Sequence, residues 1–132
     1  MQIPEFTNNS LKTLAFTHRS YLNENKEAKQ SKERLEFIGD SILSFVVSSY
    51  IYENNPNIDE GGLTSLRSVL TNTQTLYVVS ERIGLGKLLL MSKGEEEGGG
   101  RTNKTILANT YEAFVAGLFL DGGIEKARKF IK

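Results

Sequence analysis

Apolar residues in this chain recur at intervals of three and four rather than in alternation, and only two prolines, Pro4 and Pro56, interrupt the pattern. That interval is the helical period, and proline is the residue that most readily breaks a helix, so an all-α fold is the default expectation. The chain has 132 residues, of which 39% are hydrophobic and 24% charged. This is enough for one domain with a buried core, spanning residues 1–132, and it excludes intrinsic disorder for most of the chain.

The period and its interruptions predict the elements. A first helix is expected over residues 10–21, with Leu11, Leu14, Ala15 and His18 on related faces, then a polar loop over 23–32. A second helix is expected to start near Ser31 as its N-cap and to run to about Glu53, where Asn54-Asn55-Pro56-Asn57 stops it. Residues 63–83 read as helix broken near Thr71-Asn72-Thr73 and ended by Gly84. Half of the twelve glycines lie in 84–100, which therefore reads as a mobile surface loop, with Met91 and the adjoining leucines as anchors. A strongly apolar helix follows over 105–121, ended by Gly122-Gly123, and 124–132 begins another.

Composition removes whole classes of chemistry. With no cysteine and one histidine there is no disulfide framework, no cysteine nucleophile and no multi-histidine zinc site, and a di-iron site lacks its Glu-x-x-His ligands. Sixteen basic against sixteen acidic residues give a formal net charge of zero. Any binding of nucleic acid must therefore come from local patches. No N-terminal basic-then-apolar segment is present, and no stretch reads as the roughly 18 apolar residues of a membrane span, so a cytoplasmic protein without membrane association is expected. Nothing in the pattern suggests an organic cofactor.

On the second helix, at roughly 100° per residue, Leu35, Ile42 and Val46 lie within about 40° of one another as a core stripe, widened by Ile38 and Phe45. Glu33, Glu36 and Asp40 fall within about 60° of each other on a second face. From spacing alone, three like charges there read first as an ordinary solvated face, with Glu33 also favoured by the helix N-terminus. The helix over 105–121 carries a single basic or acidic side chain before its last residue, Glu112, among Ile106, Leu107, Tyr111, Phe114, Val115, Leu118 and Phe119. A helix that apolar should be largely buried, and a lone buried carboxylate needs a partner or a shifted pKa. If Asn109 and Glu112 face Glu36 and Asp40, four oxygen-bearing side chains converge between two helices, a donor set that suits Mg²⁺ or Mn²⁺.

The stretch Glu33-Arg34-Leu35-Glu36-Phe37-Ile38-Gly39-Asp40-Ser41-Ile42-Leu43 resembles the signature of the ribonuclease III catalytic domain. Thr17-His18-Arg19-Ser20-Tyr21 before it, Glu60-Gly61-Gly62-Leu63-Thr64-Ser65-Leu66-Arg67 after it, and Gly99-Gly100-Arg101 with Lys104-Thr105-Ile106-Leu107-Ala108-Asn109-Thr110-Tyr111-Glu112-Ala113 complete the pattern in order. The resemblance implies the helical fold of that domain and a homodimeric, metal-dependent endonuclease of double-stranded RNA. Its products would carry 5′-phosphate and 3′-hydroxyl ends with short 3′ overhangs.

By position, Glu36, Asp40 and Glu112 match the family's metal-binding acids, with Asp40 and Glu112 at the centre of catalysis, and Asn109 stands where many members have Asp. Glu33 and Glu60 are expected, at most, to hold metal-bound water from further out, and each reads as well as a plain helix-start or loop acid. Arg101 and Lys104 are candidates for RNA phosphates, or equally solvated loop cations. Phe37 matches a residue that inserts into the partner subunit, and His18 matches a position that is structural rather than catalytic. Mg²⁺ is the implied cofactor, with Mn²⁺ able to substitute. The family's usual α-β-β-β-α RNA-binding domain is not expected within these residues, and the periodic stretch over 124–131 suggests an end near a domain boundary. The alternative reading, resting on Asn109, is an inactive dimer that binds RNA or serves as a scaffold.

Overall fold

Asn8 opens the first helix, its side-chain oxygen accepting from the backbone N–H groups of Ser10 and Leu11. That helix, α1 (Asn9–Ala15), is one of six in a computed structural model that describes residues 3–25, 28 and 30–131. The others are α2 (Glu33–Asn54), α3 (Glu60–Thr71), α4 (Thr73–Ile83), the short α5 (Lys93–Glu97) and α6 (Lys104–Ile131). Short 3₁₀ turns lie between them, and no strand occurs among the described residues beyond one isolated bridge, Thr17 to Leu90. The all-α expectation holds.

The first limb of α6 is the central post: it packs against α1, α2 and α4, while α3 packs on α2. Leu107, Ala108, Ala113, Phe114, Val115, Ala116 and Leu118 are all buried, so this limb is covered on every side, as its apolar sequence requires. Phe114 is its hub, with ring centroids 5.5 Å from Phe6 and from Phe16 and 5.0 Å from Phe130. Phe130 reaches it because Gly123, at φ 84 and ψ 179, breaks α6 and turns the second limb back. Just before the break, Asp121 accepts from the backbone N–H groups of Thr7 and Asn8 and from Lys126 Nζ, clamping the start of α1 to the end of the central limb.

Several expectations need correction. The first helix stops at Ala15 instead of reaching Tyr21, because Phe16 to His18 pair with a distant segment: Leu90 N–H donates to the Phe16 carbonyl at 2.7 Å and His18 N–H to the Leu90 carbonyl at 2.8 Å. A 3₁₀ turn, Arg19–Asn23, follows. Lys32, not Ser31, occupies the cap position of α2, and the Ser31 hydroxyl donates instead to Glu33. Residues 84–100 are exposed over much of their length, as at Lys93, Gly94 and 96–99, but they are not a plain loop: Leu85, Leu89 and Met91 anchor them in the core and α5 lies within the segment. Phe45 does not widen the core stripe; it is 55% exposed, whereas Leu35, Ile42 and Val46 are buried.

By length and mean hydropathy, 22 residues and 1.2 over its best window, α2 is after all apolar enough to cross a membrane. Its burial against α6 accounts for that composition as a core helix. The expected break at Thr71-Asn72-Thr73 is present, with the Asn72 side chain accepting from Thr75 N–H at 2.9 Å. Of the polar stretch 23–32, Lys26, Glu27 and Lys29 lie outside the described residues, as does Lys132 at the end of the last expected helix.

Candidate active site

Helices α2 and α6 meet where Gly39 faces the backbone of Glu112, so closely that a Cβ on Gly39 would overlap the Glu112 carbonyl. A mid-helix glycine at that crossing brings the two acid-bearing faces together. Asp40 follows directly on α2, its carboxylate close enough to act on that of Glu112. Burial first, then the neighbouring Asp40 carboxyl and then the Glu36 charge push the Glu112 carboxyl up to about 8 from an ordinary 4.5. Glu112 therefore favours its protonated form at the crossing.

Glu36 lies one turn before Asp40, close enough for its charge to act on Glu112. Its Oε2 is engaged by the Lys32 ammonium at 2.6 Å. Asn109, one turn before Glu112, is half-buried on α6. The spacing therefore brings Asp40 and Glu112 together with Glu36 beside them, but no group of three acidic or histidine side chains poised on one metal position exists among the described residues. Glu36 is the member of the expected set that a cation of the chain itself, Lys32, already engages.

The outer candidates have other partners. Glu33 is exposed, accepts from the Ser31 hydroxyl at 3.0 Å and lies 4.0 Å from Arg19. Glu60 is exposed in the first turn of α3 and is not among the groups whose charge reaches Glu112. Arg101 donates to the carbonyls of Gly86 and Leu89 at 3.0 and 2.7 Å and to Glu96 at 2.8 Å, so it staples the 84–100 segment to the start of α6. Lys104 is exposed at the first residue of α6. Phe37 is 82% exposed, with Phe45 and Tyr52 also exposed at spacings that place all three within about 80° on α2.

His18 accepts on Nδ1 from the Ser20 N–H at 3.1 Å and lies 2.8 Å from the Ser20 hydroxyl, whose oxygen accepts from Ser92 N–H. Burial first and the Lys32 charge second hold its pKa below the ordinary value, as suits a neutral structural imidazole. Sequence reasoning missed Lys32 and Gly39. The signal for Gly39 was available, a glycine amid the apolar period of α2; Lys32 had none.

A helix crossing at glycine with carboxylates on both sides defines a class of acid-centred helical domain, and comparison with known proteins identifies which. The Ribonuclease-III-like family profile matches residues 8–132. The chain is 44% identical over 127 residues to a Ribonuclease 3 of Caldanaerobacter subterraneus subsp. tengcongensis, covering 96% of this chain and 56% of that protein. It is 45% identical to a Ribonuclease 3 of Clostridium acetobutylicum, covering 96% and 55%. The solved nuclease domain of ribonuclease III from Campylobacter jejuni superposes with a TM-score of 0.87 at 34% identity, over 95% of this chain and 84% of that one. Dicer from Pichia stipitis gives 0.68 at 29% identity, over 95% and 51%. The chain belongs to the ribonuclease-III-like family, and it spans about half the length of the curated relatives it matches.

Proposed function

We propose that this chain is a homodimeric, metal-dependent endoribonuclease that hydrolyses phosphodiester bonds of double-stranded RNA in cytoplasmic RNA processing. Its products carry 5′-phosphate and 3′-hydroxyl ends with short 3′ overhangs. The observation that carries this reading is the close α2–α6 crossing at Gly39, which brings Asp40 beside Glu112, the two residues that the signature assigns to catalysis. The donor set fits a hard divalent ion: Asp40, Glu112 and Glu36 offer carboxylate oxygens and Asn109 a carbonyl, with no soft ligand among them. Mg²⁺ is the ion proposed, and Mn²⁺ an acceptable substitute. When bound, such an ion polarises the scissile phosphate and lowers the pKa of water.

The chain's own residues do the remaining work. Glu112, whose carboxyl is held protonated by burial and its acidic neighbours, would give up that proton to act as a ligand, since ligands bind metal in the ionised form. Gly39 fixes the separation of the two helices and so of the two acids. Glu33 and Glu60 are assigned at most to metal-bound water in the assembled enzyme. Lys104 is free to meet an RNA phosphate, while Arg101, tied to backbone carbonyls, reaches RNA only with what remains of its exposed guanidinium. Phe37 is proposed to dock on a second copy of the chain; the Campylobacter jejuni nuclease domain, for its part, shows structural flexibility in a region involved in dimer formation.

The test is incubation of a long RNA duplex with chelator-treated protein. Short duplexes should appear when Mg²⁺ is restored, and Glu112→Gln should stop the cutting while leaving the dimer intact. An unsubstituted dimer that binds the duplex and never cuts it would establish the scaffold reading instead.

A further inference from the structure

Lys32 is in an unfavourable place for a lysine. It is buried, with its side chain 4% exposed, and it sits at the N-terminus of α2, where the helix dipole disfavours a cation. Its backbone is pinned from outside the helix, its N–H donating to the Thr17 carbonyl at 2.9 Å, and its carbonyl accepts from Glu36 N–H at 3.0 Å. The ammonium is thereby held 2.6 Å from Glu36 Oε2, and its charge extends to Glu112. A buried ammonium at this end of a helix needs a compensating negative charge, which Glu36 supplies at 2.6 Å.

From this geometry we propose that Lys32 is a resident counter-ion of the metal site, a positioning residue that holds Glu36 in the metal-free chain and competes with the divalent ion for it. The proposal rests on the metal site described above. Lys32 then does two opposed things: it stabilises the metal-free fold by pairing with the Glu36 carboxylate beside Asp40 and Glu112, and it raises the metal concentration at which the site fills. A merely structural lysine would do only the first.

Calorimetric titration of the chelator-treated full chain with Mn²⁺ alone separates these roles. Lys32→Met keeps the aliphatic length and removes the charge; Lys32→Gln keeps a donor for Glu36 without charge. Either neutral variant should bind Mn²⁺ roughly tenfold more tightly than the unsubstituted chain, as expected when a nearby like charge is removed. Each should also melt lower in chelator and gain more in Tm on adding Mn²⁺. Unchanged or weaker Mn²⁺ binding in the folded variants overturns the proposal, and so does loss of the fold in both, which would make Lys32 a requirement of folding alone. If the unsubstituted chain and both variants bind no Mn²⁺, the metal-site reading itself fails, an outcome distinct from unequal or equal binding among chains that do bind.

Discussion

Glu112 couples stability to protonation. Burial and the adjacent Asp40 carboxyl raise its pKa to about 8 from 4.5, so the folded metal-free chain holds a proton that the unfolded chain releases between those values. The stability this proton contributes is fully present below about pH 4.5 and is lost as pH rises through about 8. Glu112→Gln is neutral at every pH and should flatten that dependence: in chelator above about pH 8 the variant melts higher than the unsubstituted chain. RNA cleavage in Mg²⁺ should fall in the same variant by more than the roughly 10–100-fold typical of outer-shell losses. Asn109→Asp makes the converse prediction. It adds a negative charge one turn from Glu112, so half-maximal cleavage should need less Mg²⁺, with equal or higher activity and a lower Tm in chelator; complete loss of cleavage would show that position 109 does not face the ion. At this scale Asp40 and Glu112 were legible, because a lone carboxylate in an apolar helix demands a partner. Lys32 was not, because its burial comes from Thr17 pairing with it across a loop.

The α2–α6 crossing depends on one absent methyl group. Alanine at position 39 would improve the intrinsic helix propensity of α2 by roughly 0.5–1 kcal/mol. Its Cβ would strike the Glu112 carbonyl, a backbone atom that cannot rotate away. Overpacking of this kind costs roughly 1–3 kcal/mol, so the clash wins and Gly39→Ala should lower the Tm while separating Asp40 from Glu112. Loss of Mn²⁺ binding in a variant that still melts cooperatively would confirm that the crossing sets the site; an unchanged Tm would refute it. Element boundaries were legible where a local side chain sets them, as at Asn72, whose oxygen caps α4. They were not legible where a distant segment sets them: α1 ends at Ala15 because Phe16 and His18 bond to Leu90, about seventy residues on. Glycine content likewise misrepresented 84–100, where Leu85, Leu89 and Met91 are drawn into the core and Arg101 ties the carbonyls.

The chain as a whole has no net charge with which to attract RNA, so on the proposed function affinity would come from local patches, and repeating a local site would strengthen it. The proposed two-fold dimer would supply that repetition, because two sites held at a fixed separation engage one duplex with far greater avidity than either alone. The exposed aromatic face of α2, with Phe37 82% and Tyr52 72% accessible, is the surface that such a dimer would cover. Because Phe37 is so exposed within one chain, Phe37→Ala should change the stability of an isolated protomer by no more than about 0.5 kcal/mol. Its effect on the pair should be much larger, since a central aromatic anchor commonly contributes about 2 kcal/mol or more to an interface. Sedimentation velocity should therefore show the variant dissociating at concentrations where the unsubstituted chain is dimeric. Cleavage of long duplex at low enzyme concentration should fall by roughly 100-fold, and recover in part as the protein concentration is raised. A variant that stays dimeric and fully active would move the contact off Phe37, whereas one that dissociates yet cuts both strands as before would show that a single copy of the Asp40–Glu112 crossing is sufficient.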